Sequence, residues 1–154
     1  MHKYLLILVA IALPNIAFSQ AALTHDDIIA KANAFVSAKN ARQQPTSTVK
    51  DIDNFMALLA DEFVDEHVKY SFTYTDKAKL RQDMLAKLKD KVVHSKIDIL
   101  DILVGHNVVF IKMRESGKVK PAHLDSEIEY NKTNIVSLEF NNKGLIKHIR
   151  RHHG

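Results

Sequence analysis

His67 and Asp65 are the residues of this chain whose types and spacing best suit proton chemistry. An imidazole with an ordinary pKa of about 6.5 accepts a proton in one state and donates it in the other. Asp65 lies on the same face if the segment is a strand, and a carboxylate there can orient the ring. Plainer readings stand beside both: a partly exposed strand histidine and a solvated edge charge. Tyr70 and Arg150 are candidates to steady negative charge developing on a ligand. The run His148-Ile149-Arg150-Arg151-His152-His153 invites a metal reading. On a strand, however, His148 and His152 stand about 13 Å apart, too far to share an ion. No metal site is expected, and the run reads as a solvated basic tail. If the face shared by Ile146, His148, Arg150 and His152 is concave, Arg150 brings a cation to a pocket and favours an anionic or carbonyl-bearing ligand. The chain has no Ser/His/Asp elbow, Gly-rich phosphate loop or paired-Cys site, and no cofactor is expected.

These side chains need elements to hold them. From Asp51 to His67 the chain reads DIDNFMALLADEFVDEH, with Ile52, Phe55, Met56 and Leu59 at i, i+3, i+4 and i+7, one buried face of a helix. Thr48 with Asp51 is a start signal, which places the helix start near Asp51. After Asp61-Glu62 the spacing changes, and Phe63 to Tyr70 reads as a half-buried strand. Phe63, Asp65, His67 and Lys69 share one face; Val64, Glu66, Val68 and Tyr70 share the other. Both mix apolar and charged residues, so spacing leaves open which face looks inward.

Upstream, Thr24 and Asp27 repeat the capping pattern ahead of Ile28, Ala32, Phe35 and Lys39, which predicts a first helix over 26–40. The polar segment 41–50, with Pro45, connects it to the second. Downstream, Thr75 is the expected cap of a third helix, whose stripe is Leu80, Met84, Leu85 and Leu88 and whose end falls near Lys91. The β-branched run 92–104 predicts a strand, with Gly105-His106-Asn107 as the turn into a return strand over 108–113. Residues 114–126, with Gly117 and Pro121, predict a long loop. Strands over 127–140 and 145–152 then flank a turn at Asn141-Asn142-Lys143-Gly144. Helices come first and a meander of strands follows, an α+β order.

The chain begins Met-His-Lys, continues with the apolar run Tyr4–Leu13, and reaches small residues at Ala17 and Ser19. This is the pattern of a secretory signal peptide over 1–19, cleaved before Gln20. The run is well short of the ~20 residues a membrane span needs, so no anchor is expected after cleavage. A chain without cysteine then has no disulfide framework, and residues 20–154 suit one domain in the periplasm or outside the cell. The net charge of +4 is spread among interspersed acids, and no basic stripe marks a nucleic-acid partner.

In its paired N-terminal helices, its D-x-D-x-x-x-x-L-x-A-D-E run into a short strand, its third helix and its strand meander, the chain resembles the nuclear transport factor 2-like superfamily. That superfamily includes SnoaL-like polyketide cyclases and ketosteroid isomerases. The ending Glu139-Phe140-Asn141-Asn142-Lys143-Gly144-Leu145-Ile146 is similar to the F-x-x-x-G-x-I turn before that fold's last strand. The resemblance implies a cone: three N-terminal helices packed on a curved, mostly antiparallel sheet, with a pocket at the open end for a small apolar or carbonyl-bearing molecule. It implies His67 at the place of the isomerases' aspartate base, and Phe35 near the place of their tyrosine donor. The resemblance also implies homodimers. Two functions follow as expectations: a non-catalytic binding domain contacting its ligand through Phe35, Tyr70 and Arg150, or a cofactor-free isomerase, cyclase or dehydratase using His67 and Asp65.

Overall fold

The computed structural model describes residues 23–154, and the expected signal peptide over 1–19 lies outside the described residues. Helix α1 (His25–Ala41) starts where local chemistry sets it. The Asp27 N–H donates to Thr24 Oγ1 at 3.1 Å, and the Asp27 carboxylate accepts from the Thr24 N–H at 3.1 Å. Its buried stripe runs Ile28, Ala32, Phe35 and Val36 and ends on Lys39.

Helix α2 (Val49–Met56) begins slightly before the expected Asp51, with the Thr48 N–H and hydroxyl both donating to the Asp51 carboxylate. It also ends earlier than the apolar spacing suggests. Leu59 fits a helix face or a strand, and here it pairs with Ile146 in the sheet, where the Ile146 N–H donates to the Leu58 carbonyl at 2.9 Å. Strand β1 therefore spans Leu59–His67 and stops short of Tyr70. Val68–Tyr70 form one 3-10 turn, Ser71 follows in the left-handed region (φ 49°), and β2 (Phe72–Tyr74) returns antiparallel to β1.

Asp76, not Thr75, caps α3 (Lys77–Ala86), because its carboxylate reaches the N–H groups of Ala78 and Lys79 at 2.8 and 3.2 Å. The hairpin of β3 (Lys91–Gly105) and β4 (Val108–Lys120) turns at His106-Asn107. Strand β4 continues well past Met113, so the long loop expected over 114–126 shrinks to 121–127. Gly117, which reads as a turn residue, sits instead within the sheet. A Cβ there would meet the Tyr130 hydroxyl at 2.6 Å and the His94 carbonyl at 2.7 Å, so only glycine lets these groups approach. Strands β5 (Ile128–Phe140) and β6 (Ile146–His153) complete the meander, and Gly144 turns between them at φ 72°.

The sheet order is β2-β1-β6-β5-β4-β3, antiparallel throughout except that β1 runs parallel to β6. Extra residues in β3, at Val93 and Leu100, interrupt its ladder, and such bulges bend a strand. The three helices pack on this open, curved sheet, as the α+β cone requires. Along each inward face the residue type changes at one level. Val109, Ile111 and Met113 of β4 give way to Glu115, Leu138 and Val136 of β5 to Asn134, Ile149 of β6 to Arg151, and Phe63 of β1 to Asp65. Below that level is a dry core, and above it lies the site.

Candidate functional site

The end of α1, one side of α3 and strands β1, β4, β5 and β6 enclose a cavity of about 470 Å³. Four carboxylates line it, Asp65, Asp83, Asp90 and Glu115, and the two buried ones, Asp65 and Glu115, are already neutralised. Asp65, 1% exposed, accepts a two-pronged bond from Arg151: Nε at 2.6 Å to Oδ1 and Nη2 at 2.8 Å to Oδ2. Glu115 accepts from Lys39 Nζ at 2.5 Å and from Asn134 Nδ2 at 2.7 Å. Burial pushes the Glu115 carboxyl up, but the Lys39 charge and these two bonds outweigh it and hold the group below its ordinary value. Burial brings Lys39 down to about 7, against the pull of Glu115 and with help from Arg151 and Arg42.

His67 looks into the cavity, so the inward face of β1 is the one carrying Phe63, Asp65 and His67. Its Nε2 is 3.7 Å from Asp65 Oδ1, too long for a hydrogen bond, and both Asp65 oxygens belong to Arg151. Asp65 therefore chiefly neutralises Arg151 rather than orienting His67. The imidazole is held by His153, whose Nε2 lies 3.3 Å from His67 Nδ1 with the rings stacked at 5.4 Å. Phe72 and Tyr74 flank His67 at 6.1 and 6.4 Å between ring centroids. Burial and the Arg151 charge lower the His67 pKa, with Asp65 opposing, so the ring is neutral at neutral pH. Burial and a hydrogen bond donated to Asp83 at 2.8 Å raise Tyr74 to about 12, which keeps its hydroxyl protonated.

The other expected contacts fall in three different places. Tyr70 lines the cavity mouth, 62% exposed, its ring 5.0 Å from that of His153; the 3-10 turn carries it there, not strand alternation. Phe35 is fully buried in the core against Phe55, ring centroids 5.6 Å apart, and is absent from the cavity wall. Arg150 points to the outer face and pairs with Glu66 at 3.1 Å. The reason is a bulge: Phe140 faces Ile146 but Glu139 faces His148, so Lys147 is extra and the phase of β6 flips. Ile149, Arg151 and His153 then point inward, and the cavity cation is Arg151.

Sequence reading thus missed Arg151, Lys39, Arg42, Glu115, Asn134 and His153. For three of them a signal was present. Lys39 and Arg42 extend the stripe of Ile28, Ala32 and Phe35 by one more turn, and Glu115 continues the alternation of Val109, Ile111 and Met113. A charge on an apolar stripe has to find a partner or a cavity.

No protein-family model matches the sequence, and no curated protein sequence matches it. Solved structures do. A protein assigned as a SnoaL-like polyketide cyclase from Shewanella denitrificans OS-217 superimposes with a TM-score of 0.66 at 10% identity, covering 83% of this chain and 90% of that one. An NTF2-like protein of unknown function from Exiguobacterium sp. 255-15 gives 0.64 at 10% identity, over 80% and 98% of the two chains. An LEH-like epoxide hydrolase from M. tuberculosis gives 0.61 at 15% identity, over 84% of each chain. Likeness at this identity shows the fold, which is the nuclear transport factor 2-like cone.

Proposed function

We propose that this chain with the nuclear transport factor 2-like fold is a binding domain for a small molecule with an apolar body and a carbonyl-type oxygen. One observation carries the reading: a cavity of about 470 Å³, within the usual range for small-molecule sites, whose wall joins apolar Ile52, Leu80 and Met84 to the donors Tyr70 and His67. A ligand of this kind would rest its body on α2 and α3 and turn its oxygen toward the donors. The test is a thermal-shift screen of steroids, phenols, polyketide-like compounds and fatty acids, run in parallel on His67→Leu. A compound that raises the melting temperature of the parent and not of the variant supports the reading. If nothing binds, or the variant binds as well, the cavity is not a site through His67.

A second reading has its own support. Neutral His67, linked to His153, sits where it can exchange a proton with a bound ligand, which suits a cofactor-free isomerase, cyclase or dehydratase. His153 takes His67 Nδ1, however, and where it donates to that nitrogen the neutral ring carries its hydrogen on Nε2, which makes the free nitrogen a donor to a ligand oxygen and not a base. That favours binding without turnover. Proton exchange from an enolisable ketone, dependent on His67, would reverse the preference.

Export and self-association belong to the same proposal. The apolar run Tyr4–Leu13 behind Lys3 supports export to the periplasm or beyond, and an N-terminus at Gln20 in protein recovered from that compartment is the expected result. The outer face of the sheet exposes Leu103, Phe110 and Ile135 on adjacent strands, which supports a homodimer through that face. Light scattering that gives a monomer at all concentrations would remove the dimer.

A further inference from the structure

The charged groups of the cavity do not balance. Asp65 is committed to Arg151 and Glu115 to Lys39, and the other two lining carboxylates are engaged as well, Asp83 with Tyr74 and Lys79 and Asp90 with the Ala122 N–H, yet a further, half-buried cation, Arg42, shares the wall. Arg42 follows α1 as its C-cap residue, where a basic side chain would ordinarily turn back to the last carbonyls. Its guanidinium instead lies over the Phe55 ring, 4.6 Å from the centroid. The buried Nε has no hydrogen-bond partner, and the group forms no ion pair with a described residue. Lysines at the rim, Lys87 and Lys132, are exposed to water and need no partner. Arg42 is only half-exposed and its Nε is cut off from water, and a cation desolvated there without a counter-charge is costly.

Resting on the binding reading above, we infer that Arg42 is an anion-binding group and that the ligand is a small monocarboxylic acid bound as its carboxylate. The planar guanidinium, already stacked on an aromatic face, presents its remaining N–H groups in the fork that matches a carboxylate. One surplus cation matches one negative charge, whereas a phosphate dianion would leave the cavity with an excess of the opposite sign. Burial and the neighbouring Arg151 charge lower the Arg42 pKa only to about 10, so the group stays charged at neutral pH. The apolar part of the acid would lie on Ile52, Leu80 and Met84.

The experiment compares matched pairs on the purified protein: benzoate with benzamide, cinnamate with cinnamamide, and decanoate with decanamide, with phenyl phosphate as a further probe. Calorimetry should show at least one carboxylate binding about tenfold or more tighter than its amide, with the preference shrinking as salt rises. In Arg42→Met the carboxylate loses its advantage over the amide, and in Arg42→Lys part of it remains. Parent protein labelled with nitrogen-15 gives an independent readout, since the Arg42 Nε–H signal should move on adding the carboxylate and not the amide. Equal binding of acid and amide, or a preference unchanged in Arg42→Met, overturns the inference but leaves the cavity a binding site. Tighter binding of phenyl phosphate than of benzoate overturns the ligand class. Binding of none of the probes overturns both the inference and the reading beneath it.

Discussion

The two ends of the cone are built from the same strands and the same helix, yet they are held by different forces. At the closed end Phe35, Phe55, Leu59, Val109, Ile111, Leu138 and Ile149 are almost wholly removed from water, and burial of apolar area holds them. Beyond the last buried apolar residue, two positions further along β1, β4, β5 and β6 and one turn further along α1, the inward positions carry Asp65, Glu115, Asn134, Arg151 and Lys39. That end gains little from its charges. Desolvation offsets most of their attraction, so a hydrophobic floor pays for a polar mouth. The cone is thus stable at one end and chemically versatile at the other.

The largest effects should come from single truncations at either end. Phe55→Ala should cost about 3–5 kcal/mol through lost transfer energy and a residual cavity. Asp65→Ala should cost about the same for another reason, since it leaves Arg151 charged and buried without a partner. Urea unfolding measures both, and a loss below about 1 kcal/mol for Asp65→Ala would mean that the mouth is wetter than its geometry shows.

Extending the floor into the mouth should erase the contrast. Replacing Lys39 and Glu115 together, as Lys39→Met with Glu115→Leu, removes a desolvated pair in favour of apolar packing, and stability should hold or rise by about 1–4 kcal/mol. Asn134 loses its acceptor in that variant, which makes the lower end of the range the expected result. Ligand binding at the mouth should fall even as the protein becomes harder to unfold.

The mouth should also give the protein its pH dependence, which the floor cannot. His67 and His153 have folded pKa values below the ordinary 6.5, so the unfolded chain takes up protons first as the medium is acidified. Stability should therefore fall as pH drops below about 6.5, and fall further below about 4.5 as Glu115, also depressed, loses its charge. Lys39, depressed to about 7, works on the alkaline side: between about 7 and 10.5 only the unfolded chain holds its proton, so stability rises with pH. Denaturation midpoints across this range, repeated on His67→Leu, should show the slope between pH 5 and 6.5 reduced. An unchanged slope would take His67 out of the coupled set.

The smallest effect is the sharpest comparison. Arg150 and Arg151 are neighbours in sequence, with side chains 50% and 7% exposed. Arg150→Ala should change stability by no more than about 1 kcal/mol, as exposed ion pairs do, whereas Arg151→Ala should approach the Asp65 value. Equal losses would mean that the bulge in β6 does not set which arginine faces inward.

The sequence by itself determined the order of helices followed by a strand meander, and its resemblance to a known superfamily supplied the cone. Capping pairs at Thr24 with Asp27 and Thr48 with Asp51, the stripe of α1 and the first half of β4 are local features, and local hydrogen bonding and periodicity were enough to read them. It also placed His67 and Asp65 on one strand face. Only the tertiary structure decided the direction of that face, the early end of α2 and the identity of the cavity cation. Leu59 suits a helix or a strand until Ile146 arrives to pair with it, and one extra residue at Lys147 turns β6 so that Arg151 replaces Arg150 inside. The first partner lies more than eighty residues away in the chain and the second is the neighbouring strand β5, whose register against β6 is set by pairing and not by a local pattern.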